Sequence, residues 1–410
     1  MPLLLPTTGV EAGEQTTAAQ QMICYTFQVH AIPILIDHHT GRKQVLSKLE
    51  HKTDVIRNFS PAWFASVMGT GILAVTSKFY SCYLPFLQTV AGVLWIFNLF
   101  LFFVLLVPWL LRWIMYRQNA LDDLRHPILA QFYATIAIGC LVLAGDFLAI
   151  GVDYLPFNVA LEFAHWFWIV GAILTFAFGI GVPLIMFLSP HVEITHINPG
   201  WFIPPVGLIV IPIAGAKLIP YWPTGIQCPM LILNYIAWSS GFFLWVFLAA
   251  ICFYRFICHP PLPTNMVATV WINLGPIGAG TMALLSLIKA SSILKINGFA
   301  GAFYLFGLIF WGFGFWWLMI AILKTRHYMR YLELPYAMSW WGFTFPLGAY
   351  VGASYMIAQI FQCTTFKLYG FILYWLLFVL WSIVLITTSV RAYRGDLFVR
   401  PKPAPNVQQA

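Results

Sequence analysis

Residues Leu87–Leu111 read LQTVAGVLWIFNLFLFFVLLVPWLL, with no charged side chain anywhere in the stretch. A helix needs about 20 consecutive apolar residues to cross the hydrocarbon core of a bilayer, and this stretch exceeds that length. Its centre, Leu101-Phe102-Phe103-Val104-Leu105-Leu106-Val107, does not alternate apolar with polar residues. That excludes a strand of a membrane barrel, whose side chains point in turn to lipid and to lumen. A helix satisfies its own backbone N–H and C=O groups, which lipid cannot do, so the stretch reads as a spanning helix.

Similar stretches recur along the chain, near residues 61–77, 87–111, 127–150, 157–188, 201–218, 228–257, 264–289, 297–323, 337–360 and 367–391. They predict an all-α integral membrane protein with ten transmembrane helices in residues 59–391. An N-terminal tail, 1–58, precedes them and a C-terminal tail, 392–410, follows. Composition agrees: the 410 residues include 21 Lys+Arg and 13 Asp+Glu, or 8% charged, while 61% are hydrophobic and 18% aromatic. A soluble domain carries about 25% charged residues, and disorder needs low hydrophobicity with high net charge; both are excluded.

The net charge of +8 does not point to nucleic acid, because the basic residues fall in gaps between apolar runs rather than in a cluster. They set orientation instead. With the N-terminus inside, Lys78, Lys217, Lys289, Lys295 and Lys367 face outward and the other sixteen of the 21 face the cytoplasm. Loops rich in Lys and Arg stay on the cytoplasmic side, so both termini are expected there, in a plasma-membrane protein whose partner is the bilayer. Met1–Pro6 is too short for a signal-peptide core. The seven cysteines form no C-x-x-C pair, so no zinc site is expected; Cys82, Cys228 and Cys363 lie near the outer face, where two could pair or all stay free. No H-E-x-x-H, G-x-S-x-G or Walker lysine occurs. No catalytic residue, metal or cofactor is therefore expected, and a membrane-embedded enzyme would need a cluster of His, Asp or Glu at one depth.

Several spans are broken by small or cyclic residues. Span one has Gly69 and Gly71; span five Pro204, Pro205, Pro212 and Gly215; span seven Gly275, Pro276, Gly278 and Gly280; span nine Gly342, Pro346, Gly348 and Gly352. Span three joins them through Pro127 and Gly139. Spans two, six and ten are smoother, whereas Gly-containing spans four and eight depart from the rhythm. The pattern predicts five helical hairpins around a central pore, each an inner broken helix and an outer smooth one; tight helix packing by small residues is the competing reading. The inner spans carry neutral polar groups: Ser66, Thr70, Asn273, Thr281 and Thr344. Together with helix ends these can hold an anion weakly, as rapid passage requires. Asp146, an ionisable residue inside a span, is a candidate for proton or substrate coupling, or a side chain reaching the outer interface. Glu162 and His165, three apart, read as a pair on one helix face.

Four stretches carry a resemblance: Phe59-Ser60-Pro61-Ala62-Trp63-Phe64-Ala65-Ser66-Val67-Met68-Gly69-Thr70-Gly71-Ile72, Asn198-Pro199-Gly200-Trp201-Phe202-Ile203-Pro204-Pro205, Leu274-Gly275-Pro276-Ile277-Gly278-Ala279-Gly280 and Trp340-Trp341-Gly342-Phe343-Thr344-Phe345-Pro346-Leu347-Gly348. They resemble the tellurite-resistance/dicarboxylate transporter family, which includes fungal sulfite efflux pumps, malate permeases, bacterial tellurite-resistance proteins and plant slow anion channels. The resemblance covers about residues 58–395. It implies a homotrimer with one pore per subunit, odd-numbered helices inside, and Phe345 as a ring that plugs the pore. Ser66, Gly69, Thr70, Gly71, Pro205, Asn273, Gly275, Pro276, Gly278, Gly280, Thr344, Pro346 and Gly348 are the expected pore-lining or helix-kink positions. The cargo implied is sulfite or a C4-dicarboxylate such as malate. A chloride or nitrate channel and a proton-coupled symporter using Asp146 are the alternatives.

Overall fold

The computed structural model of the chain describes residues 46–49, 51–295, 298 and 300–399. The expected N-terminal tail up to residue 45, and the C-terminal tail from residue 400, lie outside them. Among the described residues every regular element is helical. Ten long helices follow one another: α1 (Ala65–Tyr80), α2 (Phe86–Met115), α3 (Ala134–Asp146), α4 (Phe157–Phe187), α5 (Ile203–Leu218), α6 (Thr224–Cys258), α7 (Leu274–Ile293), α8 (Ala300–Tyr331), α9 (Phe345–Phe361) and α10 (Thr364–Arg394). Eight of them, with their helical extensions, are long and apolar enough to cross a membrane. The exceptions are α1 and α9, at 16 and 17 residues. The protein is thus a multi-pass, all-helical membrane protein.

The odd-numbered helices share an entry that the even ones lack. Each starts from a 3-10 stretch: Pro61–Phe64, Ala130–Tyr133, Pro199–Phe202, Thr264–Asn273 and Met338–Phe343. Local sequence explains two of these directly. In Ser60-Pro61-Ala62-Trp63-Phe64, the Ser60 hydroxyl accepts from the Ala62 N–H (3.2 Å); in Asn198-Pro199-Gly200-Trp201-Phe202, the Asn198 side-chain oxygen Oδ1 accepts from the Gly200 N–H (2.8 Å). A polar cap followed by proline suits a helix start, because the ring presets φ and its missing N–H would have had no partner there. Pro204 and Pro205, Pro276 and Pro346 likewise fall in the first turn of their α-helices, where proline breaks no bond. Only Pro212 lies deeper in an odd-numbered helix.

Burial separates the two sets. The most apolar stretches around α3, α5 and α7 are 78, 89 and 100% buried, against 22–39% for α2, α4, α6, α8 and α10. Most residues of α1 and α9 are buried as well. In packing order α1 meets α3, α3 meets α5, α5 meets α7, α7 meets α9 and α9 returns to α1, so the odd helices close a ring. Each even helix packs on the odd helix before it. Spans four and eight, irregular by sequence, fall with the outer set.

Hydrogen bonds tie each outer helix to the next inner one. Trp168 of α4 donates to the Ile211 carbonyl of α5 (3.0 Å), Trp238 of α6 to the Gly280 carbonyl of α7 (3.0 Å), Trp311 of α8 to the Ser354 hydroxyl of α9 (2.9 Å), and Trp381 of α10 to the Thr70 hydroxyl of α1 (3.1 Å). In the remaining pair, Asn98 of α2 donates to Asp146 of α3 (3.1 Å). Positions 98, 168, 238, 311 and 381 are 70, 70, 73 and 70 residues apart. The fold is therefore an internal fivefold repeat, in which one of the five clasps is amide to carboxylate instead of indole to hydroxyl or carbonyl.

At the end where the odd helices start, Arg112 is 2% exposed and paired with Asp123 (2.5 Å). It also donates to the carbonyls of Arg57, Phe59 and Asn119. By sequence it was one more topology-setting charge; in the fold it holds the segment that leads into α1. The Lys48–Asp396 pair (2.6 Å) on the same end is exposed on its lysine side. Arg112→Ala removes a buried guanidinium with its pair to Asp123 and its three carbonyl contacts, and should destabilise the protein by about 3–5 kcal/mol. Lys48→Ala should change stability little, as exposed pairs contribute little. Thermal unfolding of the detergent-solubilised variants measures both.

Candidate functional site

Phe345 is the first residue of α9 and is 5% exposed. Two chambers lie along the axis of the ring, and both are lined by residues from all five odd helices or their 3-10 entries. The chamber towards the 3-10 entries has a cavity volume of about 40 Å³ and is lined by Met68, Thr135, Val206, Gly275 and Ser339, among others. The chamber towards the opposite end has a similar volume, about 40 Å³, and Val75, Asp146, Ile213, Lys217 and Met282 contribute to it. Among the described residues Phe345 is the one that lines both. An aromatic ring thus stands between the two chambers.

Among the described residues no ionisable side chain lines the first chamber. Its hydroxyls come from Thr135 and Ser339, neither of which was singled out by sequence. Both are satisfied internally: Thr135 donates to the Pro61 or Phe132 carbonyl (2.7 Å each) and Ser339 to the Asn265 carbonyl (2.7 Å). The hydroxyls and amide that the sequence singled out are committed elsewhere. Ser66 donates to the Trp63 carbonyl, Thr281 to the Ile277 carbonyl and Thr344 to the Trp341 carbonyl. Thr70 accepts from Trp381, and Asn273 accepts from Trp245 (2.7 Å). A polar group buried in apolar surroundings must find such a partner or cost several kcal/mol.

Among the expected glycines and prolines, Gly275 and Pro346 line the first chamber. The others mark close approaches between helices. A side chain on Gly69 would run into the Thr344 hydroxyl, one on Gly278 into the backbone of Ala349 and Tyr350, and one on Gly348 into Ile72. One on Gly280 would meet the Phe310 ring, while Gly241 of α6 lies against the Pro205 carbonyl. Pro276 sits in the first turn of α7. Gly69, Gly278 and Gly348 thus let neighbouring ring helices approach, whereas Gly280 and Pro205 lie against outer helices.

Asp146 is fully buried. The sequence placed it near the outer end of its span, but the helix continues through a π-turn, Phe147–Gly151, to Tyr154. Eight further residues put Asp146 about 12 Å inside that end, too deep for its short side chain to reach the interface. One carboxylate oxygen accepts from Asn98; the other has no hydrogen-bond partner among the described residues. A side chain on Gly71 would collide with this pair, so glycine there lets α1 pass over it. Lys217, which the sequence placed merely at a span end, is exposed on an otherwise buried helix and lines the second chamber with Asp146. It lies within electrostatic reach of Lys289, and no carboxylate among the described residues pairs with either lysine.

The remaining candidates do not converge. Glu162 accepts from Trp166 (2.8 Å) and His165 contacts the Leu161 carbonyl; the two lie within electrostatic reach of each other, with no hydrogen bond between them. Cys82, Cys228 and Cys363 are free thiols. Among the described residues no three His, Cys, Asp or Glu side chains gather as a metal site would need.

Comparison with known proteins places the chain in a consistent setting. The family model described as a voltage-dependent anion channel matches residues 58–389. An uncharacterized transporter of Methanocaldococcus jannaschii is 52% identical over 86% of this chain and 99% of its own length. A sulfite efflux pump of Arthroderma otae is 26% identical over 84% of this chain and 93% of its own. The malic acid transport protein of Schizosaccharomyces pombe is 22% identical over 86% and 84%.

Proposed function

The chain belongs to the voltage-dependent anion channel family, a family of anion transporters, and from that premise we propose how it carries its cargo. All ten helices cross the membrane as five hairpins, α1 and α9 being completed to spanning length by their 3-10 entries. The ring of odd helices is the pore, and Phe345 is its plug. The observation that carries this reading is that Phe345, alone among the described residues, lines both axial chambers. A closed apolar ring excludes water and the ions that travel with it, and passage requires the ring to turn aside. The cargo is a small anion, sulfite or a C4-dicarboxylate such as malate, in line with the pumps and permeases named above. Lys217 in the outer chamber raises the local anion concentration, while the uncharged chamber beyond the ring prevents tight capture.

The chain sits in the plasma membrane with both ends of the helical domain in the cytoplasm, following the distribution of its basic residues. Three copies assemble through the exposed apolar faces of their outer helices, each keeping its own pore.

A second reading, proton-coupled symport, is favoured by one observation. Asp146 presents a carboxylate oxygen without a partner where it lines the outer chamber. A carboxylate there can take up a proton before the ring opens and release it afterwards.

Purified protein in liposomes should carry sulfite or malate faster than protein-free controls. Failure to carry sulfite, malate, chloride or nitrate would overturn the proposal. Phe345→Ala should raise flux about tenfold if the ring contributes ~1.4 kcal/mol to the barrier; an unchanged rate would remove Phe345 from the gate.

Coupling is read separately. Under the symport reading, acid-driven uptake should collapse in Asp146→Asn while flux down an anion gradient persists. Equal loss of both would mark Asp146 as a structural clasp.

Orientation is tested with a membrane-impermeant maleimide on intact cells. Cys82, Cys228 and Cys363 should react from outside, and exposed Cys258 only after permeabilisation. Cys363 caps α10, where the N–H groups of Phe366 and Thr365 hold its thiol below the usual range. A lowered thiol pKa means more thiolate at neutral pH, so Cys363 should react faster than Cys82.

A further inference from the structure

Arg255, three residues before the end of α6, is 4% exposed. Its Nε and Nη1 atoms are buried with no hydrogen-bond partner among the described residues, and Nη2 has only a long contact to the Thr195 carbonyl (3.5 Å). The second cation nearby makes the arrangement costlier. Lys324 of α8 lies within electrostatic reach of Arg255, its ammonium 3.9 Å from the centre of the Phe256 ring. No carboxylate among the described residues pairs with either. The other titratable groups facing Arg255 are Cys252 and Tyr328, and Tyr328 is already committed as a donor to the Leu262 carbonyl.

A favourable helix-end dipole does not account for this. The C-terminus of α6 favours a cation, but an arginine serving only that purpose stays solvated. Withdrawing a guanidinium from water without a counter-charge costs several kcal/mol, and a neighbouring like charge adds to that cost. The planar fork of arginine beside a lysine is the donor set that takes a phosphate group.

We propose that Arg255 and Lys324 form an anion site, separate from the pore, for the phosphate of an anionic lipid headgroup or for free phosphate. The surroundings favour the lipid. The site sits between two outer helices at the end rich in basic residues, where pockets between spanning helices meet headgroups. The adjoining surface is apolar and exposed: Phe253, Tyr254 and Ile257 on α6, and Met319 and Leu323 on α8. A phosphate between Arg255 and Lys324 would cross-link the ends of two outer helices while its acyl chains lie along that surface.

The test uses the full-length protein, delipidated in neutral detergent, followed by thermal unfolding and native mass spectrometry. Dioleoylphosphatidylglycerol should raise the midpoint by about 4 °C at saturating concentration, with one lipid retained per chain, and dioleoylphosphatidylcholine should do much less. A shift with sodium phosphate alone, and none further with phosphatidylglycerol, would assign the site to free phosphate. Arg255→Gln and Lys324→Gln should each cut retention of the effective probe at least about fivefold. Lys324, being partly exposed, provides the variant that folds if Arg255→Gln does not. Equal shifts with both lipids, no shift with any probe, or full retention in Lys324→Gln would overturn the site. Anion flux is not the readout, so the result is independent of the pore.

Discussion

The structure depends on how each outer helix is fixed to the ring. In lipid, apolar contact between helices gains little over contact with lipid tails, so packing and interhelical hydrogen bonds must hold the bundle together. Here an indole N–H, or in one case an amide, reaches from each even helix to the next odd one. Each even helix also packs on the odd helix before it, so every outer helix bridges two members of the ring. Helices held from outside can keep space between them on the inside. That is how a bundle this apolar retains axial chambers instead of collapsing around them.

The fivefold repeat also gives Asp146 a context. Four positions use a hydroxyl or carbonyl to accept the clasp; the fifth uses a carboxylate, and a smaller donor stands where the others have tryptophan. A neutral acceptor would have served the packing equally well and cost less to bury. The carboxylate therefore needs a reason beyond structure, and its second oxygen, unpartnered where the residue lines a chamber, is the feature that a clasp alone leaves unexplained.

The all-helical membrane class was legible from the first apolar run, because lipid imposes a length and a composition that a single sequence displays. The inner and outer assignment was legible in part. Proline and glycine marked spans one, five, seven and nine, but spans four and eight blurred the signal, since small residues such as Gly179, against Leu208, and Gly314, against Tyr350, serve packing as well. The repeat of about 70 residues escaped the sequence reading because it is carried by single tryptophans among eighteen and by acceptors as unlike as Thr70, Asp146 and a backbone carbonyl. The site was less legible still. Polarity in a span pointed to Ser66, Thr70 and Asn273, yet buried polar groups seek partners, and all three are engaged within the helix wall. Chamber residues such as Ile213 and Met282 have no signature, and Lys217 looked like any basic residue near a span end.

What lines the path then bears on how an anion is handled. With hydroxyls turned into the wall, the inner chamber offers almost no polar surface, and a bare anion there would lose most of its hydration without replacement. Under the proposed pore such a chamber would have to be wet during passage, and Phe345 stands where a dry gap would be cheapest to maintain. Among the described residues, the ionisable groups that line the chambers, Lys217 and Asp146, lie on one side of that ring. Under the proposed pore, an anion entering there would meet both groups in the same chamber. This asymmetry gives the two directions of passage unequal entrances, although at equilibrium it can change only rates and occupancy. Net accumulation requires a gradient, and under the symport reading the protonation of Asp146 is where a proton gradient would act.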